Sequence, residues 1–68
     1  MDLGKSIKIG LINRDMPQGV LAGRTGICKS HLSAMANGHK LPNMVMLESI
    51  ATKLDYKVSE FIALGETN

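Results

Sequence analysis

One segment near the middle of the chain, residues 25–38 (TGICKSHLSAMANG), combines hydrogen-bonding side chains with cations. On a helix with 100° between residues, placing Leu32 inward sends small or hydrogen-bonding side chains outward. These side chains are Ser30, Ser33, Ala34 and Asn37. Lys29 and His31 flank them on the two sides. Because bulky side chains would hold a helix away from a groove, this pattern predicts a helix built for close contact with a polar, negatively charged partner.

Chain breakers and apolar spacing predict the helices that must position this segment. Leu3, Ile7 and Leu11 recur every four residues, which is typical of a helix. Gly26 suits a helix end of positive φ, and Asn43 suits an N-cap. The predicted helices span about 3–13, 18–25, 28–37, 44–54 and 58–64. Since neither alternating strand patterns nor repeats occur, we expect an all-α bundle.

The predicted core is aliphatic and rich in methionine, because the chain has one Tyr and one Phe but five Met. Periodicity directs a set of apolar side chains inward: Met16, Leu21, Ala22, Ile27, Leu32, Met35, Ala36, Met44, Leu47, Ile50, Ala51 and Leu54. Met46 is predicted to be exposed. Cys28, at the start of the third helix, is predicted to be half-buried and passive.

The bulk properties limit the classes of protein that this chain can represent. Sixty-eight residues form a single domain, 1–68, with a polar tail from about residue 65. One cysteine excludes an internal disulfide and a C-x-x-C zinc cluster, which suits the cytoplasm. Neither an apolar run of membrane-spanning length nor a leader pattern occurs, so we expect a soluble protein.

Charge is unevenly distributed along the chain. Residues 1–40 carry six Lys or Arg against two Asp, a net charge of +4. Residues 41–68 carry two Lys against four Asp or Glu, a net charge of −2. The first half could therefore attract a polyanion, although solvated surface alone would also explain the charges.

Catalytic and metal-binding patterns do not occur in the sequence. There is neither a glycine-rich phosphate loop nor a carboxylate pair of catalytic spacing. His31 and His39 stand eight residues apart without a carboxylate at helical spacing, which disfavours a metal site. We therefore expect no enzyme activity, no cofactor and no metal.

The chain from about Leu3 to Ile62 resembles the helix-turn-helix domains of the lambda-repressor, Cro and Xre type. The matching positions are Gln18, Leu21-Ala22, Gly26-Ile27, residues 29–33, Asn37-Gly38, Pro42, residues 44–54 and residues 58–62. The resemblance implies a compact five-helix DNA-binding domain with the helix-turn-helix at helices 2 and 3. Two positions depart from the family pattern: Cys28 replaces a Ser or Thr cap, and Thr25 replaces a larger aliphatic residue.

The resemblance also implies roles for individual residues, with the recognition helix at about 28–37 in the major groove of double-stranded DNA. The implied base-contacting residues are Lys29, Ser30, Ser33 and Ala34. The residues expected at the DNA backbone are Gln18, Arg14, His31, Asn37, His39 and Lys40. Gln18 either contacts a phosphate or supports the recognition helix.

The resemblance therefore implies that the chain is a sequence-specific DNA-binding transcriptional regulator of Cro-like or controller type. Such a regulator would come from a phage, a plasmid or a restriction or toxin locus. A homodimer would place two recognition helices on half-sites about 34 Å apart. The expected dimer contact involves Tyr56, Phe61 and Leu64, unless these side chains instead complete the core of a monomer. The alternative function is a helical module that binds a protein partner, as an antitoxin binds its toxin.

Overall fold

The computed structural model describes residues 2–66, which form five α-helices and no strand. The helices are α1 (Leu3–Asn13), α2 (Gln18–Thr25), α3 (Lys29–Ala36), α4 (Met44–Lys53) and α5 (Val58–Glu66). The prediction of an all-α fold is confirmed for this part of the chain. The predicted bounds differ from the observed ones by two residues at most, and α5 continues to Glu66, where a polar tail was expected.

None of the helices within residues 2–66 is long and apolar enough to cross a membrane.

Local hydrogen bonds define the helix ends. The Asn43 side chain accepts a hydrogen bond from the Met46 N–H at 2.8 Å, which confirms Asn43 as the N-cap of α4. Gly26 has φ +73° and its N–H donates to the Ala22 carbonyl at 2.9 Å, as expected for a glycine that ends a helix. The Asp2 carboxylate caps α1 by accepting from the Lys5 N–H.

Small side chains on α1 let the neighbouring helices come close. A Cβ added at Gly4 would lie 2.8 Å from the carbonyl oxygen of Ala36, so the start of α1 lies directly against the end of α3. The buried Ser6 hydroxyl donates to the Ile62 carbonyl of α5 at 3.4 Å. A Cβ at Gly10 would lie 3.0 Å from the Leu54 side chain. Therefore α1 lies between the end of α3 and α5, and close contacts with backbone carbonyl groups of both helices determine its position.

The core joins side chains from every helix. Leu21 and Ala22 bring α2 against α3 and α4, and Phe61 of α5 is completely buried. Among the described residues, the buried apolar side chains are Leu3, Ile7, Leu11, Leu21, Ala22, Leu32, Met35, Ala36, Leu47, Ile50, Ala51, Leu54 and Phe61. Met16 and Ile27 pack against this core and are half-buried.

Three burial predictions are wrong. Met44 is 61% exposed, whereas Met46 is half-buried and packs against the core. Periodicity gives a direction around a helix but not a position along its axis, and Met44 is the first residue of α4, outside the packed part of the helix. Cys28 precedes α3 with non-helical backbone angles (φ −56°, ψ 136°), so the helical wheel does not apply to it, and it is exposed.

Candidate nucleic-acid interface

Helices α2 and α3 pack together and are joined by a three-residue turn, residues 26–28. Ile27 packs against the core as predicted. The Thr25 hydroxyl donates to the Leu21 carbonyl at 2.9 Å and accepts from the Ile27 N–H at 3.3 Å. The Thr25 hydroxyl therefore connects the end of α2 to the turn through hydrogen bonds.

The outward face of α3 carries the small side chains that the wheel placed there. Ser30 and Asn37 are exposed, whereas Ser33 and Ala34 are half-buried. The Asn37 amide lies 3.5 Å from the Ser33 hydroxyl, within hydrogen-bonding distance. This face thus combines hydroxyl and amide groups with no large side chain, so its backbone could approach another surface closely.

Lys29 extends from the start of α3 across the start of α2. Its Nζ lies 3.9 Å from the position of a Cβ added at Gly19, the second residue of α2. Lys29 is exposed, and Gln18, beside Gly19, is half-buried. Lys29, a predicted base contact, therefore lies beside the first turn of α2, which begins at Gln18, a predicted backbone contact.

Two lysines at the other end of α3 were not among the predicted site residues. Lys5 and Lys8 of α1 line a shallow groove of about 280 Å³ together with residues 36–38 at the end of α3, and Asp2 lines it as well. The spacing of Lys5 and Lys8 places them on one face of α1. The sequence does not show which helix this face borders, because that depends on the close contact at Gly4.

The loop after α3 carries His39 and Lys40, two of the residues expected at the DNA backbone. Gly38 adopts a left-handed φ of +81°, and the His39 N–H donates to the Ala34 carbonyl at 2.9 Å. His39 and Lys40 follow the end of α3 and are exposed, whereas His31 lies within α3 and is half-buried. Within residues 2–66, no cluster of His, Cys, Asp or Glu could hold a metal ion.

Arg14, which is expected to contact the DNA backbone, makes several contacts within the chain, and the DNA contact stays a prediction. Its Nε donates to the Leu54 carbonyl at 2.8 Å, and its Nη2 donates to the Asp55 carbonyl at 3.2 Å. The guanidinium carbon lies 4.2 Å from the centre of the Tyr56 ring. Arg14 thus binds carbonyl groups left unpaired at the end of α4 and connects α1 to the turn before α5.

The expected dimer contact is corrected for Phe61. This ring is completely buried in the core of a single chain and cannot form part of an outer surface. Tyr56 and Leu64 are half-buried and pack against the same core. The described geometry agrees with the alternative in which these side chains complete the core of one chain.

Cys28 is the N-cap of α3 and is fully exposed, in contrast to the predicted half-buried position. The pKa of its thiol is lowered mainly by the Ser30 hydroxyl, 3.2 Å from Sγ, and also by the backbone N–H groups of Ser30 and His31. These groups stabilise the thiolate, as donors at a helix start do for other anions.

Comparison with protein-family models, with characterised proteins and with solved structures finds no match to this chain.

Proposed function

We propose that this chain is a sequence-specific DNA-binding transcriptional regulator of the lambda-repressor-like helix-turn-helix class, with α3 as the helix that enters the major groove. The observation that supports it best is the polar face of α3 with lysines at both ends, Lys29 at its start and Lys5 and Lys8 at its end.

The shape of α3 suits this role. An α-helix with its side chains is about 10–12 Å across, which matches the major-groove width of about 12 Å in B-DNA. Lysines near both ends of such a helix can contact the polar and charged groups that line the groove. Small polar side chains between them, such as Ser30 and Ser33, are those that can hydrogen-bond to base edges.

Selection of bound sequences from a random pool of duplex DNA, at a stated salt concentration, tests the proposal. We expect an enriched motif rather than uniform recovery. Three lysines near α3, those at positions 5, 8 and 40, predict that the logarithm of the binding constant falls with the logarithm of salt with a slope of about −2.7 per protomer. A flat salt response or an absence of enrichment would exclude this function, since an apolar protein interface responds little to salt.

Paired variants then separate base contacts from phosphate contacts. Ser33→Ala should change the preferred bases, with a loss of about 1 to 3 kcal/mol at the affected position. Lys8→Ala should weaken binding to all sequences alike and reduce the salt slope by about 0.9. Lys57→Ala is the matched control, because Lys57 lies in a hollow lined by Asp55 and Glu60 and should leave both measurements unchanged.

A further inference from the structure

An Asn-Gly pair, Asn37 and Gly38, stands where α3 ends. Both residues are exposed. The other asparagines of the described chain, Asn13 and Asn43, precede an arginine and a methionine. Because glycine has no Cβ, the backbone nitrogen of Gly38 is not shielded by a side chain of its own. This pair therefore combines a side-chain amide, an unhindered neighbouring nitrogen and access to water.

The reaction open to such a pair is deamidation, which needs only water as a co-reactant. The Gly38 nitrogen gives its proton to hydroxide or a buffer base and forms a bond to Cγ of Asn37. The bond from Cγ to Nδ2 breaks, the departing nitrogen takes a proton from water, and ammonia leaves a cyclic imide. Water then opens this ring at one of its two carbonyl carbons. Opening at Cγ gives aspartate and opening at the backbone carbonyl gives isoaspartate, so a neutral amide becomes a carboxylate.

The folded end of α3 holds the pair away from the geometry that this reaction needs. Asn37 has φ −89° and ψ 3°. A ψ near zero places the Gly38 nitrogen beside the backbone nitrogen of Asn37, and therefore away from Cβ and the amide that Cβ carries. The Gly38 N–H also donates to the Met35 carbonyl at 3.2 Å. Ring closure thus requires rotation about ψ of Asn37 and loss of the Gly38 hydrogen bond.

These changes open only the last turn of α3. Residues 37–40 are exposed, whereas Met35 and Ala36 before them are buried. The backbone can therefore rotate at Asn37 while the core stays packed. The free energy of such a local opening lies below that of global unfolding. Deamidation in the folded chain should accordingly be slow but measurable.

The new carboxylate would form beside a basic groove. Asn37 and Gly38 line the groove that Lys5 and Lys8 also line. We infer that Asn37 is a site of spontaneous deamidation, that opening of the last turn of α3 controls its rate, and that the product adds a negative charge to this groove. The reaction does not depend on DNA. Its effect on DNA binding rests on the proposed function.

Incubation of the folded chain in neutral buffer, followed by peptide mass spectrometry, tests the inference. Deamidation should occur at Asn37, whereas Asn13 and Asn43 serve as internal controls that stay intact because a larger residue follows each of them. In the chain unfolded by urea, Asn37 should react about tenfold faster or more, because no opening is then required. The inference is overturned if Asn37 stays intact in either state or reacts at the same rate in both.

A glycine substitution tests the control by local opening. The Ala34 carbonyl accepts from the His39 N–H at 2.9 Å, in the turn that must open. Ala34→Gly should weaken this end of α3 and accelerate deamidation of the folded chain about two- to fivefold. Ala63→Gly is the matched control, since Ala63 is exposed in α5, and it should react like the parent. Equal rates in the two variants would refute local control. Thermal melting establishes that both remain folded.

Two substitutions of Asn37 measure the effect of the charge. Asn37→Asp carries the charge of the product, whereas Asn37→Gln keeps an amide. The first should bind DNA about fivefold more weakly than the second, as expected for like charges about 4 Å apart in water. Equal binding would refute the effect of the charge.

Failure of the inference is distinguishable from failure of the proposed function. A chain that deamidates at Asn37 as expected but enriches no DNA sequence removes the proposed function and leaves the modification site. A chain that enriches a sequence but keeps Asn37 intact removes the modification site and leaves the DNA-binding role.

Discussion

Replacement of Arg14 by Met should destabilise the fold without changing the electrostatic part of DNA binding. Arg14→Met keeps a long unbranched side chain but removes the guanidinium group, and with it both bonds to the carbonyls at the end of α4. It also removes the cation that lies over the Tyr56 ring. The substitution therefore tests whether Arg14 acts inside the protein or at a phosphate.

The magnitude follows from these contacts. Hydrogen bonds from a charged donor contribute about 1.5 to 3 kcal/mol in favourable cases, and an exposed cation over an aromatic ring about 0.5 to 1 kcal/mol. Because Arg14 is exposed and its bonds compete with water, we expect a combined loss of about 2 kcal/mol. For a domain of this size, that loss corresponds to a decrease in Tm of about 8 to 16 °C.

Thermal unfolding followed by far-ultraviolet circular dichroism measures this change. Arg24→Met is the control, since Arg24 is exposed in the last turn of α2 and should cost less than about 1 kcal/mol. The salt dependence of DNA binding should have the same slope for Arg14→Met as for the parent. An unchanged Tm would refute the stabilising role of these contacts, whereas a slope reduced by about 0.9 would show that Arg14 contacts a phosphate.

Two further predictions concern glycines and the thiol. Gly23→Ala should stabilise the protein by about 0.5 to 1 kcal/mol, because a Cβ there meets nothing within 4 Å. Gly4→Ala should instead cost about 1 to 3 kcal/mol, because its Cβ would press on the Ala36 carbonyl; equal melting temperatures for the two variants would contradict this packing. Alkylation of Cys28 should reach half its maximal rate at a lower pH in the folded than in the unfolded chain, since the lowered pKa increases the thiolate fraction at any pH below the midpoint. Ser30→Ala should move that midpoint upward, and identical pH profiles for folded and unfolded protein would refute the assignment.

Local patterns in the sequence predicted the helices well, because the interactions that start and end a helix span about four residues. Asn43 caps α4 through a bond to Met46, and Gly26 ends α2 in a left-handed conformation. The inward positions of Leu21 and Leu32 follow from helical periodicity, which is equally local. The outward position of the small polar residues of α3 was predicted for the same reason.

The contacts between helices could be seen only in the tertiary structure. Arg14 reaches residues forty positions away at the end of α4, and Phe61 fills the core although the apolar spread of its helix also allowed a surface position. Lys5 and Lys8 border α3 only because Gly4 lets α1 approach its end. The sequence determines which side chains can share a face of one helix, because covalent geometry sets that spacing. The packing of all five helices decides which faces meet, because each contact depends on the space that the others leave.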